Sequence, residues 1–258
     1  MDGGLHITLA AERLFTLWEI PITNTLISAW AVMLTLFIIA ILVGRNPKMI
    51  PGKVQNAFEM LFEFVLKYME DTLGTRKLAV RFFPLIATMF LFIFVSNLFS
   101  FLPFFGSVGV FHDGELLPLF HPVNTDLNIT LALAIISYVV IEVTGIVFLG
   151  FLKYGSKFVN FKQGVLGFLI GLIEFVSNFA RLISFSFRLF GNVFAGEVLI
   201  AVVIAFMPYV LPVPLLLFET FVGLVQAAIF ALLTLVFIKI AISEPHSEHP
   251  ATSHGQPA

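Results

Sequence analysis

Apolar residues run almost unbroken for about twenty positions at several places along this 258-residue chain, and charges, glycines or prolines close each run. The first, Thr23 to Val43, is long enough to cross a hydrocarbon core about 30 Å thick as a helix. It stops at Gly44-Arg45-Asn46-Pro47, a glycine and proline break with a basic residue in the last turn. After Pro51-Gly52 the pattern changes. Val54, Phe58, Leu61, Phe62, Val65, Met69 and Leu73 recur at helical spacing, and Asn56, Glu59, Glu63, Lys67 and Glu70 take the opposite side. That two-sided pattern predicts a helix lying on the membrane surface, with Glu63 and Lys67 as a solvated pair one turn apart. Arg76, Lys77 and Arg81 lead into a second span ending near Leu102-Pro103, and a third runs from about Leu127 to Leu152. Residues 1 to 22 are mixed and predict no span.

Two longer apolar segments follow, Gly167 to Phe206 and Pro214 to Ile242. The first would rise about 60 Å as a helix, roughly twice the hydrocarbon thickness, and has no proline to break it. A steeply inclined helical hairpin, turning at Met207-Pro208 to Pro214, fits those lengths. The expected fold is an all-α polytopic membrane protein: about five membrane helices plus one amphipathic surface helix, the last two helices long and steeply tilted. The expected organisation is a single membrane domain over 1–258. Residues 1–22 form an outside segment, 23–242 hold the membrane helices, and 243–258 form a disordered cytoplasmic tail. His246, His249 and His254 in that tail stand among proline, serine and glycine, which suits a loose polar segment better than a metal site. No metal or cofactor is expected.

Composition agrees. Hydrophobic residues make up 59% of the chain, charged residues 12%, and mean hydropathy is +1.02, which excludes an ordinary soluble domain. A net charge of −2 provides no field to attract nucleic acid. With no cysteine there are no disulfides or thiolate metal sites. The start, Met-Asp-Gly-Gly-Leu-His, has no basic region leading into an apolar core, so no cleavable signal is expected. Charge placement is more informative than its sum. Arg45, Lys48, Lys53, Lys67, Arg76, Lys77, Arg81, Lys153, Lys157 and Lys162 fall in two connections, which the positive-inside rule puts in the cytoplasm. The amino terminus and the Pro103 to Asn124 loop are then outside, and the carboxyl terminus, with Lys239 nearby, is cytoplasmic.

Polar residues inside the apolar runs carry the candidate chemistry. Glu174, Arg181 and Arg188 are seven apart, so a helix returns each to nearly the same side, close to Ser177, Asn178, Ser184 and Asn192. An intramembrane charge costs roughly 2.5 to 3.5 kcal/mol on insertion scales, so such a stripe must face protein, water or a counter-charge. Arg181 can either join it or snorkel to the headgroups; Arg188 is deeper. Guanidinium does not deprotonate, so Arg188 can serve only as a fixed positive charge, not as a proton carrier. Glu197, about two and a half turns further on, points to a different surface. Glu197 and Glu219 can titrate. Gln226, seven residues past Glu219, shares its side, and either holds Arg188 or a water, or makes a plain helix-to-helix hydrogen bond. Asp126 is either a helix cap or a functional acid. Glu142, deep in the third span, is functional by default, and opposite charge suggests Arg181 as its partner.

Arg188-Leu-Phe-Gly-Asn-Val-Phe-Ala-Gly-Glu197 resembles the signature of the subunit a family of F-type ATP synthases. Three further stretches agree: Asn124-Thr-Asp-Leu-Asn-Ile-Thr-Leu-Ala-Leu-Ala, Glu174-Phe-Val-Ser-Asn, and Phe218-Glu-Thr-Phe-Val-Gly-Leu-Val-Gln-Ala-Ala-Ile-Phe. The similarity covers about Val80 to Ile242. It implies a proton-translocating stator with two offset half-channels, coupling proton flow to ATP synthesis without a catalytic site of its own. The implied partners are a c-subunit ring, peripheral stalk b subunits and the rest of the synthase, and the implied location is a bacterial inner membrane. The resemblance implies that Arg188 faces each passing ring carboxylate. It also implies that Asn192, Glu197, Glu219 and Gln226 line or adjoin the outer half-channel, and that Glu174 and Ser184 belong to the other. The family pattern also keeps an acid at Asp126. Where this chain has Glu219 several relatives carry histidine, so the relay is expected to work without imidazole, with a second titratable partner missing or supplied elsewhere. The rival reading is a secondary transporter binding an anionic substrate at Arg188, but no pair of broken helices in two halves supports it.

Overall fold

The computed structural model describes residues 13–17, 20–45, 52–100, 109–112, 115–158 and 164–243. The histidines of the tail, Lys48, Lys162 and the Leu102-Pro103 break lie outside the described residues. Helices dominate: α1 (Asn24–Gly44), α2 (Lys53–Leu73), α3 (Arg76–Ser100), α4 (Leu127–Leu149), α5 (Phe151–Phe158), α6 (Gly164–Phe206) and α7 (Pro212–Ile242). Of these, α1, α3, α4, α6 and α7 are long and apolar enough to cross a membrane, as the run lengths predict. Two small antiparallel hairpins were not expected. One pairs β1 (Arg13–Leu17) with β2 (Ile20–Thr23), and the other pairs β3 (Gly109–His112) with β4 (Glu115–Pro118).

α2 is two-sided as its pattern requires. Met69 and Leu73 are buried against α3 and α7, Phe62 meets Phe83 edge-on with centroids 5.6 Å apart, and Glu59, Glu63 and Lys67 are exposed. The expected Glu63–Lys67 pair does not form. A contact worth a few tenths of a kcal/mol does not outweigh the freedom of two exposed side chains. Arg76 instead approaches Glu70 at 3.4 Å.

The third span ends earlier than its hydropathy suggests. α4 stops at Leu149, because Gly150 takes φ 83° and ψ 148°, a conformation essentially restricted to glycine, and the chain folds back into α5. At the other boundary α7 begins at Pro212, with proline in the first turn where its missing N–H costs nothing. At 43 residues α6 is about 65 Å long, so only a strong inclination fits it to a bilayer of about 30 Å.

Hydrophobic burial does not drive helices together in lipid; close packing and interhelical hydrogen bonds do. Small residues supply the approach: Ala79, Ala134, Ala227 and Ala231 are buried, and a Cβ added at Gly223 would come within 2.9 Å of the Asn97 Cβ. Asn97 uses that proximity to donate to the Gly223 carbonyl at 3.0 Å, and Asn124 donates to Asn97 Oδ1 at 2.7 Å. α3, α7 and the loop before α4 are thereby tied together. Between them, Met89, Ile93, Ala134, Phe185, Leu189, Ala227 and Phe230 form a buried apolar layer across α3, α4, α6 and α7.

Candidate functional site

That apolar layer separates two polar cavities at opposite ends of the α6–α7 pair. At the end where α4 begins, a cavity of about 20 Å³ is lined by Asn97, Asn192, Val193, Glu219, Val222, Gly223 and Gln226. A space of this size holds one water, and these side chains supply the polar partners it needs. Asn192 of α6 donates to Gln226 Oε1 of α7 at 2.8 Å, so Gln226 makes the helix-to-helix bond and also lines the cavity. Glu219 is buried. Its carboxyl lies directly against Gly196 of α6, in the space a Cβ would occupy, and next to Glu197. Only glycine at 196 permits the two helices to bring these acids together.

Beyond Glu197 a polar trail leads to the loop before α4. The Thr125 hydroxyl lies near the Glu197 carboxyl, contacts Nδ1 of His121 at 3.1 Å and donates to the Pro122 carbonyl at 2.8 Å. His121 lies near Glu197 and donates its backbone N–H to Ser28 Oγ, 3.1 Å away. An imidazole therefore stands near Glu197, supplied by the loop and not by α6 or α7. Matching positions on α6 and α7 do not reveal it, because it belongs to neither helix. Its one trace in the sequence is a histidine just ahead of the Asn124-Thr125-Asp126 motif. Asp126 is the N-cap of α4: Oδ1 accepts from the Asn128 N–H at 2.9 Å and Oδ2 from Thr25 Oγ1 at 2.9 Å, which joins α1 to α4.

At the end where α4 stops, a half-open cavity of about 260 Å³ is lined by Glu142 of α4, Tyr154 of α5, Glu174, Ser177, Asn178 and Arg181 of α6, and by Phe237 and Ala241 of α7, among others. Glu142 and Arg181 share this space, yet the guanidinium lies 3.8 Å from the centroid of the Phe237 ring and makes no ion pair with Glu142.

The stripe predicted on α6 thus divides. Glu174, Ser177, Asn178 and Arg181 line the larger cavity, whereas Ser184 and Arg188, one turn apart, are exposed. A seven-residue step falls about 20° short of whole turns, so the line drifts around the helix as it climbs. Arg188 has no hydrogen bond, ion pair or ring contact among the described residues. It stands between the two cavities along α6, and Glu197 serves a different surface, as the spacing requires.

The family model described as ATP synthase A chain matches residues 26–239. ATP synthase subunit a of Campylobacter jejuni is 36% identical over 207 residues, covering 80% of this chain and 84% of its own. The Geotalea daltonii subunit a is 31% identical over 220 residues, covering 84% and 86%, and that of Moorella thermoacetica 32% over 226 residues, covering 88% and 94%. With a family match across nearly the whole helical region and relatives of this identity spanning most of both chains, the chain belongs to the ATP synthase A chain family.

Proposed function

We propose that this chain is the proton-translocating stator subunit of a rotary ATP synthase, and that its two cavities are the inner ends of two half-channels offset across Arg188. The observation that carries this reading is the arrangement on α6: a polar cavity at each end, a buried apolar layer between them, and an exposed, unpaired arginine at the level of that layer. A permanent cation cannot remain without a counter-charge in lipid, so its partner must come from another subunit. A carboxylate on each subunit of a rotating c-ring meets that need.

In the proposed cycle a proton enters from outside past His121 and Thr125, reaches Glu197 and Glu219, and crosses the water site held by Asn192 and Gln226. It neutralises a ring carboxylate, which is then free to rotate into lipid. After nearly a full turn the acid reaches the cytoplasmic side, where Arg188 favours its ionised form and the proton leaves past Ser184 towards Glu174. Arg188 and the apolar layer keep the half-channels apart. The driving term is about 2.3 kcal/mol per charge for each 100 mV. Asp126 holds the start of α4, and hence Thr125, in register. The reading also takes 23–242 as one membrane unit and assigns ATP chemistry to other subunits. It places the chain in a bacterial inner membrane with its carboxyl terminus in the cytoplasm, bound to stalk b subunits.

The test is ATP-driven proton pumping in inverted vesicles carrying the whole complex. Arg188→Ala and Arg188→Lys are both expected to abolish pumping while the complex stays assembled, because an ammonium lacks the planar, multi-donor geometry and permanent charge of guanidinium. Normal pumping by either variant would remove Arg188 from the mechanism.

A further inference from the structure

The larger cavity holds an acid that the cycle above does not use. Glu142 sits inside the membrane span of α4, at a cost that a lipid-facing or purely packing residue would not justify. Its surroundings are built around it. Tyr154 Oη donates to Oε2 at 2.8 Å and Asn178 Nδ2 to Oε1 at 3.5 Å. Gly150 folds α5 back against α4, and Gly145, where a Cβ would overlap the Tyr154 ring, lets the phenol reach the acid. Burial, and then the bond to Glu142, hold the Tyr154 phenol above the ordinary tyrosine range, so it acts as a donor. Tyr138 on α4 and Glu174 and Arg181 on α6 stand nearby, and among the described residues α7 lines the cavity with Phe237, Ile240 and Ala241.

A carboxylate present only to neutralise Arg181 would be paired with it. Here the guanidinium rests on Phe237, and the acid instead borders an open space. About 260 Å³ accommodates several waters at about 30 Å³ each. The cavity also lies at the end of α4 that the basic residues assign to the cytoplasm.

Building on the stator reading, we propose that this cavity is the exit vestibule and that Glu142 is its terminal proton relay. The ionised Glu142 takes the proton that a ring carboxyl has released through the cavity waters, and then gives it to bulk water on the cytoplasmic side. Each transfer breaks one O–H bond and forms another, so the acid returns to its starting state. Tyr154 and Asn178 are positioning residues that orient the carboxylate.

Inverted vesicles expose this side to the medium. ATP hydrolysis in the presence of an uncoupler, where no gradient accumulates, reads proton passage through the assembled complex. Glu142→Gln keeps an acceptor for Tyr154 but cannot titrate, and is expected to slow passage about tenfold or more. Glu142→Asp should recover most of the rate, and added formate should accelerate Glu142→Ala but not the wild type. Tyr154→Phe, which leaves the carboxylate in place but unanchored, should slow passage about threefold, less than Glu142→Gln does. A wild-type rate in Glu142→Gln overturns the proposal, as does a slow rate that neither aspartate nor formate restores. Should Glu142→Gln fail to assemble, Ser177→Cys decides. The chain has no native cysteine, and filling the cavity with a bulky thiol reagent must slow passage relative to the same variant unlabelled. An unaffected rate overturns the vestibule. Arg188→Ala run alongside separates the two failures: active Arg188→Ala undermines the stator reading itself, whereas inactive Arg188→Ala with normal Glu142→Gln removes only this inference.

Discussion

A side chain can rest against a helix backbone only where no Cβ intervenes, and Gly196 is such a place. The Glu219 carboxyl occupies the position where a side chain at 196 would begin. Gly196→Ala must push that carboxyl away from Glu197, and proton pumping is expected to fall about tenfold, equivalent to ~1.4 kcal/mol of barrier. Shortening the acid opens space, so the Gly196→Ala, Glu219→Asp double variant should pump faster than Gly196→Ala alone. Pumping assays on the assembled complex check both; a double variant slower than the single one would show that the clash is not the cause. Around this pair the side chains have distinct duties. Glu219 presses on Gly196, Asn192 donates to Gln226 beside the small cavity, and Asp126 caps a helix. Of the two readings its sequence position allowed, Asp126 takes the helix cap, accepting from the Asn128 N–H at the start of α4.

At the level of elements, the junction between α4 and α5 decides whether the larger cavity exists. Gly150 at φ 83° and ψ 148° turns the chain, and without that turn Tyr154 would not reach Glu142. Gly150→Ala is expected to cost about 1 to 3 kcal/mol locally. The change should appear as faster proteolysis between α4 and α5 in the membrane-embedded complex, with protease sensitivity elsewhere unchanged. Hydropathy carried the third span through Gly150 to Leu152 because it counts apolar residues and does not register backbone conformation. The same blindness explains the two unexpected hairpins. The interhelical tie from Asn124 through Asn97 to the Gly223 carbonyl is also an element-scale device, holding α3 and α7 at one register beside the smaller cavity.

For the whole molecule, the exposed faces of α6 and α7 carry the argument about partners. Arg188 lies on a stretch of α6 that also exposes Ile183 and Phe187, a surface that lipid alone would cover at the cost of an unpaired cation. The chain reconstituted alone into liposomes is therefore expected to pass no protons above the lipid leak under an imposed potential of about 100 mV, and co-reconstitution with its ring should produce conduction. A secondary transporter would move its substrate unaided, so flux from the isolated chain would favour that rival.

The order of helices, their approximate ends and the two-sided pattern of α2 were determined by the sequence alone, because run length and helical period act on each segment locally. Helical spacing also put Glu219 with Gln226 and turned Glu197 away from Arg188. Which polar residues share a cavity was decided only by tertiary structure. His121 beside Glu197, Tyr154 beside Glu142 and Glu219 against Gly196 join segments far apart in the chain. Such meetings depend on the rotation and register of each helix, and those are set by small residues and interhelical hydrogen bonds that no single segment contains.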